Sequence, residues 1–314
     1  MQALRSSMRR LHSLLQLPLL LVGATSCLAG VAGNAAAHEP PNVQAVSWMV
    51  IDGESEQILA EHDADVERQP ASLTKLMTAY IVLRALRNQT LHWDEKVRIG
   101  ASDVGAVRGD EAKMYLVPGQ VVSIKDLIQG LIVASANDAA MVLARHVGGS
   151  LSGFEQMMND TARQLGMRHT HFSTPSGITT PGNYSTVRDL STLALRLTKD
   201  FPEYYGYSSE QHFAYGKFAK RNKNWLLGMD PSVDGLKTGH TKAAGYCIVA
   251  TAKRRQVEPP MERRVFAIVL GAPTATARIS GAGTLLNYAF SSYKDYPTSR
   301  ESEHHFVTRA VAPN

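Results

Sequence analysis

Apolar runs of strand character lie near both ends of this chain, and the stretch between them is built from helix formers. Ala45 to Ile51 is an apolar run, Asp52-Gly53 is a turn dipeptide and Gln57-Ile58-Leu59 resumes, the pattern of a β-hairpin. After Asp234-Gly235 the strand pattern returns: Tyr246 to Ala252 and Val265 to Leu270 flank a charged, proline-containing loop around Arg254 to Pro260. Between these ends, Ser72 to about Leu86 is rich in Leu, Met, Ala and Lys. Ser123 is an expected N-cap for a stripe of Ile124, Leu127, Ile128, Leu131 and Ile132 at helical spacing. Similar helices are expected after Ser152 and Thr186, and Ala277 to Ser292 reads as a closing helix. Strands separated this way bury their apolar faces when both ends meet in one sheet that helices cover. The expected fold is therefore α/β of the α+β type, an antiparallel sheet formed from both chain ends and packed against a helical region.

The first 37 residues obey different rules. They contain no acid, and Arg5, Arg9 and Arg10 precede the apolar run Leu11 to Val22, which gives way to small residues ending in Ala35-Ala36-Ala37. This is the pattern of a secretory signal peptide, expected to be cut near Ala37/His38 and to export the mature protein. The run is too short for a transmembrane helix, which needs roughly 20 apolar residues. Lipidation at Cys27 is the competing reading, although Ala24-Thr25-Ser26 is a poor approach to a lipidated cysteine. Three of the five net positive charges belong to this segment, so the remainder carries too little charge for a nucleic-acid footprint. Cys247 is the only other cysteine, which excludes a disulfide within the mature chain and metal sites built on thiolates. No metal and no cofactor is expected. Residues 293–314 are polar, lack an apolar stripe and read as a flexible tail; 38–292 is the expected folded domain.

Three short motifs carry the chemistry: Ser72-Leu73-Thr74-Lys75, Ser135-Ala136-Asn137 and Lys237-Thr238-Gly239. Alone, S-x-x-K is weak, and Ser291 with Lys294 makes a second copy in no catalytic context. The joint presence of all three is the signal. A serine hydroxyl needs a partner that removes its proton, and spacing of three places Lys75 on the helical face of Ser72. Lysine acts as a base only when neutral; burial and a second cation such as Lys237 both favour that form. Free N–H groups at the start of the helix can polarise a carbonyl oxygen. Ser135 offers a hydroxyl and Asn137 both a donor and an acceptor, at the expected end of the Ile124 helix. Lys237, Thr238 and Gly239 fall on an expected strand, where a sheet edge can take an extended peptide and a glycine permits close approach of backbone.

With these motifs, with Pro70-Ala71 before Ser72, Asp138-Ala139 after Asn137, Leu165-Gly166-Met167 and Thr170-His171-Phe172, and with Asp234-Gly235-Leu236 leading into Lys237, the chain resembles the low-molecular-mass penicillin-binding proteins, the serine D-alanyl-D-alanine carboxypeptidases. The resemblance runs from about Val43 to Tyr293 and implies a β-lactamase/DD-peptidase-like fold. It implies that Ser72 is acylated, that Lys75 is its base and that Ser135 relays a proton. It places Asn137, Lys237, Thr238, Gly239, His240 and Arg278 in substrate binding, with the N–H groups of Ser72 and His240 as oxyanion hole and Arg278 against the substrate carboxylate. The implied partners are peptidoglycan stem peptides, with β-lactam antibiotics as covalent inhibitors. Ser176-Gly177 and Asn222-Lys223-Asn224 depart from the family's His-Gly and Asn-Arg-Asn. The C-terminal β domain and amphipathic anchor of many relatives have no counterpart here, so no stable membrane anchor is expected.

A periplasmic carboxypeptidase that removes the terminal D-alanine of stem pentapeptides is the leading expectation. A D,D-endopeptidase that cuts cross-links shares the acyl-enzyme chemistry and stays open. A β-lactamase needs a deacylating glutamate, and Glu155, Glu203 and Glu210 lack the E-x-x-L-N context. A non-catalytic peptidoglycan-binding scaffold is disfavoured by the intact Ser72, Lys75 and Lys237.

Overall fold

Strands from the two chain ends do meet in one sheet. In the computed structural model the described residues are 39–105, 107, 112–256 and 260–292. The expected signal peptide with its cleavage point, Cys27 and the expected tail from residue 293 lie outside them. β1 (Ser47–Asp52) and β2 (Ile58–His62) form the expected hairpin, and Asp52 Oδ1 holds its turn by accepting from the N–H groups of Glu54 and Ser55 at 2.9 and 2.7 Å. A 3-10 turn, Ala71–Thr74, leads into α1 (Lys75–Arg87). Then come β3 (Lys96–Arg98), α2 (Ala101–Gly105), β4 (Val121–Ser123), α3 (Ile124–Ile132), α4 (Asn137–Gly148), α5 (Leu151–Gln164), α6 (Val187–Asp200) and α7 (Tyr204–Ser208). A hairpin of β5 (His212–Tyr215) and β6 (Phe218–Arg221) precedes β7 (Val233–Thr241), β8 (Gly245–Gln256), β9 (Met261–Ala272) and α8 (Ala275–Ser292).

The main sheet has the order β2-β1-β9-β8-β7, antiparallel throughout. Alternation along its strands sorts the side chains into two cores. Met49, Ile51, Leu236, Val249, Phe266 and Ile268 face the helical region with α1, α3, α4 and α6. Trp48, Val50, Ile248, Ala250, Val265 and Ala267 face Ala282, Leu285, Leu286 and Ala289 of α8. Central strands buried on both faces read as continuous apolar runs, which is why they were visible in the sequence. α3 begins as expected, with Ser123 Oγ accepting from Asp126 N at 3.1 Å, and α6 begins as expected at Thr186.

Three expectations need correction. The α5 cap is Ser150, whose hydroxyl accepts from Gly153 N at 2.9 Å, two residues before the expected Ser152. Ser135 to Asn137 do not end the Ile124 helix: α3 stops at Ile132, and Asn137 opens α4, a helix absent from the sequence reading. Arg254 to Gln256 continue β8 and pair with Arg263 to Met261 of β9, where a loop was expected. Backbone pairing holds those strand ends, whose side chains are mostly charged and so carry no apolar strand pattern.

Candidate active site

Ser72 lies in the 3-10 turn just ahead of α1, where a helix was expected to have begun. Two glycines let other segments press on that turn. A Cβ at Gly177, whose φ is +77°, would sit 1.9 Å from Ala71 O, and one at Gly239 would sit 3.0 Å from Ser72 N and 3.1 Å from Pro70 O. The close approach expected of Gly239 is therefore a contact between β7 and the Ser72 turn. β7 is an edge strand of the sheet, with one side unpaired by any other strand of it.

Lys75 is buried at 1% exposure, and its amino group links three segments. Nζ stands 3.1 Å from Ser72 Oγ, 2.6 Å from Asn137 Oδ1 and 2.5 Å from the carbonyl oxygen of Ser176. A proton can pass between Nζ and Oγ at that separation. Asn137 is fixed in turn, because its N–H donates to Ala112 O at 2.7 Å. Its neighbour Asp138, 2% exposed, accepts from Met114 N at 3.0 Å and Leu116 N at 3.1 Å, which clamps the 112–121 loop to the start of α4. Ser135, buried in the α3–α4 connection, has φ +59°, a costly conformation for a residue with a Cβ. Among the described residues its hydroxyl forms no hydrogen bond to Ser72 or Lys75.

The opposite wall is basic. Lys237 and Arg278 are both 3% exposed, and no carboxylate pairs with either among the described residues. Burial pushes the Lys237 amine well below its ordinary range, and Lys75, Lys223 and Arg278 push in the same direction. Lys237 Nζ donates to Thr238 O at 2.9 Å. Arg278, in the first turn of α8, reaches across to β7 and the 222–224 loop: Nη2 donates to Lys223 O at 3.2 Å and Nη1 to Gly239 O at 3.5 Å, while its buried Nε has no partner. Loss of hydration lowers the guanidinium's affinity for its proton too. Thr238 is buried beside them, and exposed His240 stacks on Tyr246 at 4.0 Å between ring centres. Partial burial, Lys223 and Arg278 lower the His240 pKa. The Asn222-Lys223-Asn224 loop is tied down by Asn224 Nδ2 donating to Gly235 O at 3.0 Å and Asn222 Nδ2 donating to Glu210 O at 3.0 Å.

Lys237 and Arg278, with no carboxylate partner among the described residues, favour an anion beside the Ser72–Lys75 pair. All nine candidate residues lie on the segments that frame this cleft: the 70–75 turn, the α3–α4 connection, β7 and the start of α8. Sequence reasoning missed the carbonyl of Ser176 as a lysine partner and the Asp138 clamp; the adjacency of Asp138 to Asn137 was the available signal. Of the glutamates considered for deacylation, Glu210 accepts from Gln129 Nε2 at 3.2 Å and Glu155 lies near His171, and neither bonds Ser72 or Lys75.

The chain is similar to known proteins over most of its length. Residues 34–274 match a peptidase S11 family model described as D-alanyl-D-alanine carboxypeptidase. The chain is 37% identical over 260 residues to D-alanyl-D-alanine carboxypeptidase DacA of Haemophilus influenzae, covering 82% of this chain but 65% of that relative's own length. It is also 32% identical over 247 residues to the D-alanyl-D-alanine endopeptidase of Escherichia coli, covering 76% of each. Penicillin binding protein 5 of Haemophilus influenzae superposes with a TM-score of 0.76 at 38% identity, over 81% of this chain and 72% of that one. The sheet, the serine–lysine turn and these matches together place the chain in the peptidase S11 family, with the penicillin-binding, β-lactamase/transpeptidase-like fold.

Proposed function

We propose that this protein is an exported serine D-alanyl-D-alanine carboxypeptidase acting on peptidoglycan stem pentapeptides. The observation that carries the reading is the 3.1 Å contact between Lys75 Nζ and Ser72 Oγ inside a buried, cation-rich cleft. Lys75, in its neutral form, takes the Ser72 proton as Oγ attacks the carbonyl carbon of the penultimate D-alanine. Charge that develops on the carbonyl oxygen is met by the N–H groups of Ser72 and His240. The substrate backbone lies along β7 as an added strand, with its amide at Asn137 and its terminal carboxylate at Thr238, Arg278 and the field of Lys237. Collapse of the tetrahedral adduct breaks the C–N bond; Ser135 passes a proton to the departing amine, and D-alanine leaves. Water then hydrolyses the ester on Ser72 and restores the hydroxyl. β-Lactams acylate the same serine, in keeping with the penicillin-binding structural relative.

Export rests on the arginine-led apolar segment and Ala35-Ala36-Ala37. No helix among the described residues is long and apolar enough to cross a membrane. Cleavage of cross-links is the second reading, favoured by the endopeptidase relative that matches this chain over most of its own length. Incubating purified protein with a stem pentapeptide and with cross-linked muropeptides, and resolving products by mass, separates the two. Loss of a single D-alanine from the pentapeptide is the expected result. Cleavage of cross-links without carboxypeptidase products would overturn the first reading in favour of the second, and no product from either would overturn both.

A further inference from the structure

Tyr115 stands out in the 112–121 loop, which Ala112 ties to Asn137 through its carbonyl oxygen. Its φ is +60°, in the left-handed region that a bulky residue enters only at a cost, and it is 67% exposed while its neighbours Met114 and Leu116 are 2% and 5% exposed. The conformation is over-determined. Asp138 accepts the N–H groups on both sides of Tyr115, and the absence of a side chain at Gly130 makes room for Met114, whose Sδ would lie 2.1 Å from a Cβ there. The ring so presented leans on Phe218 of β6, 5.8 Å between centres at 58°, and Phe218 leans on Phe213 of β5 at 6.3 Å. Gln120 Nε2 donates to Tyr215 OH at 3.1 Å and joins the loop to the same hairpin.

This aromatic ledge is joined to the cleft at both ends. The 112–121 loop meets Asn137 through Ala112, and the β5–β6 hairpin runs into the 222–224 loop whose Lys223 carbonyl holds Arg278. Two-thirds exposed, the Tyr115 ring gains little from the domain that strains it, so what it contributes lies in contact with something outside. The function proposed above, on which this inference rests, ends the substrate at Arg278; whatever else the cleft touches is upstream of the D-Ala-D-Ala terminus. A peptide added to a sheet edge presents alternate side chains away from the strand's own pairing contacts, where the surrounding walls read them.

We infer that Tyr115 is a specificity-determining residue that packs against a long side chain of the residue preceding D-Ala-D-Ala. An apolar stem against an aromatic face suits it, with the rigid ring losing little freedom on contact.

The test compares two tripeptides, Nα,Nε-diacetyl-Lys-D-Ala-D-Ala and N-acetyl-Gly-D-Ala-D-Ala, in the native protein and in Tyr115→Ala and Tyr115→Phe. Native protein should favour the lysine substrate in kcat/KM. Tyr115→Ala should cut that preference by about three- to tenfold, the range of one contact to an aromatic ring, and leave the glycine substrate and the rate of penicillin acylation unchanged. Tyr115→Phe should keep the preference. Equal losses on both substrates, or no change in their ratio, would overturn the inference. A native protein that cleaves neither tripeptide would instead overturn the carboxypeptidase reading.

Discussion

Replacing Gly239 by alanine tests the contact on which the nucleophile's surroundings depend. The added Cβ would lie 3.0 Å from Ser72 N, 3.1 Å from Ala71 Cβ and 3.1 Å from Pro70 O, where ordinary contact begins at 3.4 Å. None of these neighbours is the free end of a flexible side chain, so β7 and the 70–72 turn must separate by about 0.4 Å to restore van der Waals distance. Overpacking of this kind costs about 1–3 kcal/mol, which lowers Tm by several degrees in a domain of this size. The larger effect is on chemistry. The displaced turn carries both the Ser72 hydroxyl and an N–H assigned to the oxyanion, and β7 carries the other N–H at His240. Misplacement by about 1 Å costs on the order of a hundredfold, and loss of one oxyanion donor a hundred- to thousandfold; a shift of 0.4 Å should cost roughly tenfold or more. The assay is the second-order rate of acylation by a fluorescent penicillin, with a thermal melt beside it. Native acylation at native stability would refute the argument that β7 meets the nucleophile turn through Gly239.

Ser72→Ala should abolish penicillin labelling on a gel while Ser291→Ala leaves it intact, since Ser291 is exposed on α8 and donates to Tyr288 O at 2.8 Å; Lys75→Arg should be nearly as inactive as Lys75→Ala, because arginine cannot give up its proton. Arg278→Ala should lower kcat/KM for a D-Ala-D-Ala peptide by roughly tenfold to more than a hundredfold, with a much smaller effect on the same peptide amidated at its C-terminus. Lys237→Met should raise stability by about 0.5–2 kcal/mol at neutral pH while it weakens substrate turnover. The sign follows from the depressed Lys237 pKa: between it and the ordinary value of 10.5 the unfolded chain binds more protons, so native stability rises with pH. Denaturant unfolding across that range should show a shallower rise in the methionine variant, and identical slopes would show that Lys237 is not the buried cation responsible.

Elements with a local apolar signature were legible: the β1–β2 hairpin, the buried runs in β8 and β9, α3 behind its Ser123 cap, α6 behind Thr186 and most of α8. The elements that escaped lack one. The β5–β6 hairpin has strands of only four residues, with Phe213 alone fully buried and β6 largely exposed, too short a pattern to stand out in the sequence. α4 begins within a motif that resembles a terminator, and the far ends of β8 and β9 are mostly charged.

The site divides the same way. Ser72 and Lys75 are three residues apart, and local helical geometry brings them together whatever the rest of the chain does. Gly239 as a point of close approach was legible because only glycine tolerates one. Two further partners of Lys75 come from positions 62 and 101 residues further along the chain, and neither periodicity nor propensity encodes a contact of that separation. Only the closed sheet and the helices packed on it decide that the Ser176 carbonyl meets Lys75 Nζ, that Asp138 holds Tyr115 outward, and that Lys237 and Arg278 lose their water without gaining a carboxylate among the described residues. Sequence by itself determined which chemical groups are present and which near neighbours they have. Tertiary packing decided their hydration, their spacing across the cleft and hence their protonation, because burial and charge–charge distance are properties of the assembled fold.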